Sequence, residues 1–101
     1  MIHTTPPAPH ACYRSIPAYY ATNPHERIGF HTKVYTEGAY ALVYWYGVHT
    51  GGETLFRRRG TQWCRLTGGG GAMNANWLVK YGVPRATAGR LIARLERGAR
   101  Q

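Results

Sequence analysis

Tyr40-Ala41-Leu42-Val43-Tyr44-Trp45-Tyr46 is the stretch that decides the fold. Successive side chains of a strand point to opposite faces. Tyr40, Leu42, Tyr44 and Tyr46 would share one face, and Ala41, Val43 and Trp45 the other. Both sets are largely apolar. A strand that is apolar on both sides must be covered on both sides, so this one is predicted to be central. Turn signals bracket it, Thr36-Glu37-Gly38 before and Thr50-Gly51-Gly52 after. Upstream, Ile28, Phe30 and Thr32 alternate toward Val34 as a first strand. Downstream, residues 53–59 and 61–67 predict a hairpin about Arg59-Gly60, with Leu55, Phe56, Trp63 and Leu66 as its apolar content.

Gly68 to Gly71 predicts a break, and two helices are expected beyond it, within residues 72–98. Asn74 can cap the first, which carries Trp77, Leu78 and Tyr81 and ends at Gly82. Pro84 suits the first turn of the second. There Ala88, Leu91, Ile92, Leu95 and Ala99 recur on one helical face, with Arg90, Arg94 and Arg97 turned outward. Residues 1–27 carry Pro6, Pro7, Pro9, Pro17 and Pro24, which argue against a long helix or a central strand. They read as an extended arm, with Tyr13, Ile16, Tyr19 and Tyr20 packed on the body. The sequence thus predicts an α+β single domain over residues 1–101: an arm, a three- or four-stranded antiparallel sheet over 28–67, and a C-terminal helical hairpin.

The charge is as unevenly placed as the apolar residues. Of thirteen Lys and Arg, ten lie in residues 57–101, opposed there by Glu96 alone, so the whole net charge of +9 sits in that half. In residues 1–56, Arg14, Arg27 and Lys33 balance Glu26, Glu37 and Glu53. Nearly all the cations are Arg, whose planar fork suits phosphate and carboxylate. An anionic partner is expected: nucleic acid, or an acidic protein or nucleoprotein surface.

Several chemistries are disfavoured. Asp is absent, so paired-carboxylate catalysis and magnesium-dependent phosphoryl transfer would have to draw on four scattered Glu. Cys12 and Cys64 lack zinc-finger spacing. They could pair, but reduced thiols are the expectation for a chain whose N-terminus shows neither a basic start nor an apolar run and therefore reads as cytoplasmic. His3, His10, Cys12, His25 and His31 show no metal spacing, and His49 with Cys64 lacks a recognisable orienting third residue. The glycine run lacks the Lys-Ser/Thr of a phosphate loop, and Met73 falls where a dinucleotide motif needs its third glycine. No apolar run is long enough to span a membrane. The expectation is a non-enzymatic protein without metal or cofactor.

Asn76 to Leu95 resembles a helix-turn-helix, with Gly82 as turn glycine and Val83 as the apolar residue after it. The resemblance implies that Trp77, Tyr81, Ala88 and Leu91 pack the two helices together. It also implies that Arg85, Thr87, Arg90 and Arg94 face DNA. Bulky Leu78, small Ala88 and the preceding strands depart from that pattern, and Gly82-Val83-Pro84 also fits a plain helical hairpin covering the sheet. Residues 40–73, with their aromatic strand, Gly51-Gly52, Trp63 and glycine run, are similar to small uncharacterised bacterial domains that are often exported; no activity follows from that likeness.

Arg57-Arg58-Arg59 with Arg65, close to Phe56 and Trp63, is the densest basic cluster. Cations interleaved with aromatics suit single-stranded nucleic acid, where bases stack and phosphates pair. The expected contact residues are Arg57, Arg58, Arg59, Arg65, Lys80, Arg85, Thr87, Arg90, Arg94 and Arg97. Three functions fit: a small nucleic-acid binder; by analogy of size alone, a phage or mobile-element inhibitor of the anti-CRISPR kind that docks on a host complex; and an exported structural module.

Overall fold

The structure, a computed structural model, describes residues 11–24, 31–47 and 51–98. Its elements are β1 (Cys12–Tyr13), α1 (Ile16–Thr22), β2 (His31–Glu37), β3 (Tyr40–Tyr46), β4 (Gly51–Arg59), β5 (Gln62–Gly70), α2 (Ala75–Lys80) and α3 (Arg85–Gly98). The strands form one antiparallel sheet in the order β1-β5-β4-β3-β2. The class is α+β as expected, but the sheet has five strands. The added strand, β1, is only two residues long and carries no periodic signal, so only its pairing with β5 reveals it. Ile28, Phe30, Ala99 and the first ten residues of the arm lie outside the described residues.

β3 is flanked by β2 and β4 along its whole length, and its two faces divide as its alternation requires. Tyr40 and Leu42 join Leu55, Met73, Leu78, Val83, Ala88, Leu91 and Leu95 beneath the C-terminal helices. Ala41 and Val43 join Phe56, Ile16, Tyr19 and Tyr20 beneath α1. The sheet is therefore covered on both faces.

Three local expectations are corrected. The arm is not wholly extended, since residues 16–22 are helical. The Ser15 hydroxyl accepts the Ala18 amide as N-cap, and Pro17 falls in the first turn, where its missing N–H costs nothing. The glycine run does not break the sheet, because Gly68, Gly69 and Gly70 pair with Thr54, Glu53 and Gly52 in β5. At Gly52 a Cβ would collide with the Trp45 ring and the Gly69 carbonyl, so bare backbone is what lets these strands close. Lastly, the cysteines are not free: Cys12 lies opposite Cys64 across β1 and β5 and is bonded to it. Their separation of 52 residues hides that proximity in the sequence.

The C-terminal half follows its punctuation. Asn74 caps α2 by accepting the Trp77 amide at 2.8 Å. Gly82 takes φ 99, a left-handed conformation open to glycine, and reverses the chain into α3. Glu53, 1% exposed, accepts the Met73 amide at 2.8 Å and ties the α2 approach to the sheet.

Candidate nucleic-acid interface

The hairpin arginines do not form one patch. Arg57 pairs with Cys64 in β5 and lies opposite Tyr40 of β3; Arg58 pairs with Trp63. Tyr40 belongs to the helix-hairpin side and Trp63 packs on the α1 side, so strand alternation sends Arg57 and Arg59 one way and Arg58 the other. All three are exposed. The Arg57 guanidinium stands 5.9 Å from the Tyr40 ring centre, and the Tyr40 hydroxyl donates to the Gly82 carbonyl at 3.2 Å. Arg57 and the α2–α3 turn are thus neighbours. Arg65 is half-buried, with Nη2 at 3.5 Å from the Gly68 carbonyl oxygen, and stands apart from Arg57 and Arg59.

On α3, Arg90 and Arg94 are turned onto the β2–β3 turn. Arg90 Nε meets Glu37 Oε1 at 2.9 Å, and Arg94 Nη1 meets Glu37 Oε2 at 2.8 Å. Arg94 also donates to the Thr36 carbonyl, and Arg90 to the Thr87 hydroxyl. Hydrogen bonds from Arg94 and then Arg90 hold the Glu37 carboxyl below the usual carboxylate range. One carboxylate therefore offsets one of these two positive charges. Arg97 is exposed near the helix end, where Lys33 donates to the Gly98 carbonyl at 2.9 Å.

α2 overturns the assignment of Trp77 and Tyr81 to the helix–helix contact. They are 41% and 37% exposed, while Leu78 and Val83 fill the core instead. The helix spans only six residues, and its single fully buried position is Leu78, the bulky residue that departs from the helix-turn-helix pattern. Trp77 and Tyr81 touch each other with ring centres 5.5 Å apart, and the Lys80 ammonium stands 5.1 Å from the Trp77 ring. Arg85 donates to the Asn76 side chain at 3.0 Å, which fixes a second cation beside this helix. Two cations and two exposed rings thus share one short segment. The pattern rule missed them because large aromatic residues at helical spacing read as core.

Among the described residues no group of three or more His, Cys or Glu side chains could hold a metal. No helix there is long and apolar enough to cross a membrane. His3, His10, His25 and His49 lie outside the described residues. Compared with protein-family models, curated proteins and solved structures, the chain matches none of them.

Proposed function

We propose that this chain is a small, non-enzymatic binding protein that engages nucleic acid, free or within a nucleoprotein, through the basic surface of its second half. One observation carries the reading. Arg57, Arg59, Lys80, Arg85 and Arg97 present exposed cationic side chains, Arg58 presents another on the opposite face of the sheet, and Glu37 draws in Arg90 and Arg94. A surface of that kind meets phosphate by releasing condensed counterions, a term that needs charge and access rather than a catalytic constellation.

The test is a salt series of binding to random-sequence DNA. Log K should fall linearly with log salt, by about 0.9 per duplex phosphate neutralised. Changing Arg57, Arg58 and Arg59 together to Lys should leave affinity nearly unchanged, because charge count governs counterion release. Changing the three to Ala should lower affinity and flatten the slope. Absence of binding at low salt would sink the proposal. An acidic protein partner gripped through bidentate arginine forks would instead reject the Lys variant as well.

The Cys12–Cys64 bond favours a second reading, an exported module, because disulfides persist in oxidising compartments. Alkylation of thiols in intact cells separates the two: protection of both cysteines supports export, and their labelling removes it.

A further inference from the structure

We propose that the edge of β5 beside α2 is a base-binding pocket for single-stranded nucleic acid, with Trp77 as its stacking platform and the backbone of Gly68–Gly70 as its reading edge. The proposal rests on the nucleic-acid reading above and makes it specific.

The cavity comes first. A recess of about 250 Å³ lies between the end of β5 and the start of α2, lined by Thr67, Gly69, Gly70, Gly71, Asn74 and Trp77 among others. Pockets for drug-sized ligands run about 300–1,000 Å³. This one is therefore sized for a single planar ring system and not for a dinucleotide.

The glycines of that wall separate by cause. At Gly52 a side chain would collide with Trp45, and at Gly68 a Cβ would stand 3.1 Å from both Thr54 and Arg65. Gly71 has φ 94, which favours glycine. Gly69 and Gly70 have neither reason: their φ is not positive, a Cβ on Gly69 meets nothing within 4 Å, and one on Gly70 meets only an ordinary contact at 3.7 Å. Glycine inside a strand weakens it and often marks a place where a ligand approaches the backbone. The fold does not require these two glycines, and they bare the backbone where the cavity lies.

The hydrogen-bond pattern shows which groups are bared. The Arg58 amide donates to the Ala39 carbonyl, which fixes the alternation between β3 and β4. Carried across β4 to its pairs Leu55–Thr67 and Glu53–Gly69, it directs the backbone of Thr67 and Gly69 inward and that of Gly68 and Gly70 outward. The Arg65 amide, on the same outward side beyond the bulge, bonds to the Ala11 carbonyl. Among the described residues β1 pairs with Trp63 and Cys64, and no strand pairs with the outward side of Gly68 or Gly70. The amides of Gly68 and Gly70 and the Gly70 carbonyl can then pair with the donors and acceptors on the edge of a base, while the Gly68 carbonyl already faces Arg65 Nη2 at 3.5 Å.

The chemistry around the recess selects the ligand. Trp77 lines the recess beside the bare backbone, and a base has a π-face that can stack on an aromatic ring. Lys80, against that ring, and Arg85 supply the phosphate contacts. A duplex keeps its bases stacked and paired, so it reaches the cations but not the recess. Preference for single strands follows.

The experiment uses the intact chain and three probes: oligo-dT, a duplex of equal length and a neutral extended peptide. Oligo-dT should quench the exposed Trp77, and Trp77→Phe should remove that signal while Trp45 and Trp63 keep their emission. Gly69→Val fills the recess from a position with room for it. It should cut oligo-dT affinity roughly tenfold to a hundredfold, leave duplex binding intact and leave the melting temperature at or above wild type. Trp77→Ala, a change at an exposed position, should show the same selective loss if Gly69→Val does not fold. Unchanged oligo-dT affinity in both variants, or quenching that survives Trp77→Phe, overturns the pocket while duplex binding keeps the broader reading. Tight binding of the peptide in place of oligo-dT also overturns it, by assigning the edge to strand addition. Failure of both nucleic acids to bind at low salt removes the broader reading and the pocket together.

Discussion

The two faces of the sheet are covered by different means. Beneath α2 and α3 the core is mainly aliphatic, with Leu42, Leu55, Leu78, Leu91 and Leu95 fully buried. Beneath α1 it is largely aromatic. Tyr13, Tyr19, Tyr20 and Phe56 meet edge to face with ring centres 5.0–6.1 Å apart. The longest helix of each cover differs in length. α3 has fourteen residues and presents a repeated apolar stripe, to which Arg90, Arg94 and Lys33 add polar ties to β2 and its turn. α1 has seven, too few for a stable helix by itself. It is held by large rings, by the Ser15 cap, by Asn23 Nδ2 donating to Tyr13 Oη and the Tyr19 carbonyl, and by the disulfide through β1. The short helix depends on fastenings at its ends, where the long one adds its polar ties to a continuous apolar stripe.

Reducing the disulfide should break the α1 side first and have the largest effect. Closing a loop of 52 residues restrains the unfolded chain by about 4 kcal/mol. That is a large share of the roughly 5–15 kcal/mol expected for such a domain. Denaturant midpoints of the Cys12→Ser, Cys64→Ser protein should fall accordingly. Amide exchange should quicken in α1 more than in α3. Uniform loss of protection would show that the faces are not separable.

Leu95→Ala tests the other side. Leu95 is fully buried with no polar partner, so the truncation should cost about 2–5 kcal/mol, set by how far the cavity collapses. Exchange should now quicken in α3 before α1. A melting temperature within a degree of wild type would contradict the stripe argument.

Glu37→Gln is expected to have the smallest effect. Arg94 and Arg90 depress the Glu37 carboxyl in the folded state. Its stabilising contribution is therefore present above the ordinary carboxylate pKa of about 4 and is lost as pH falls through the depressed value. The variant should lose slightly less stability between pH 6 and pH 3 than wild type. It should also bind DNA a little more tightly at low salt, because two arginines are released. Identical acid profiles would mean that this exposed pairing contributes nothing measurable.

Much of this was legible because it rests on local rules. The two-sided apolar run from Tyr40 to Tyr46 requires cover on both faces. The Arg59-Gly60 hairpin, the Asn74 cap and the Leu91–Leu95 stripe each depend on neighbours within a few residues. The charge imbalance between the halves is also a property of sequence alone. The candidate site was legible only as an inventory of cations. That Arg58 leaves its neighbours for the opposite face, and that Glu37 collects Arg90 and Arg94, follows from pairing between distant segments.

Sequence by itself therefore determined the class of the fold, its central strand, its C-terminal helices and the half of the chain that carries the charge, since these follow from periodicity, capping and composition. Tertiary structure decided the rest. It joined Cys12 to Cys64, drew Gly68–Gly70 into β5 and left Trp77 and Tyr81 outside the core. Each outcome depends on which surfaces meet after the chain has closed on itself, and local propensity carries no record of a contact made fifty residues away.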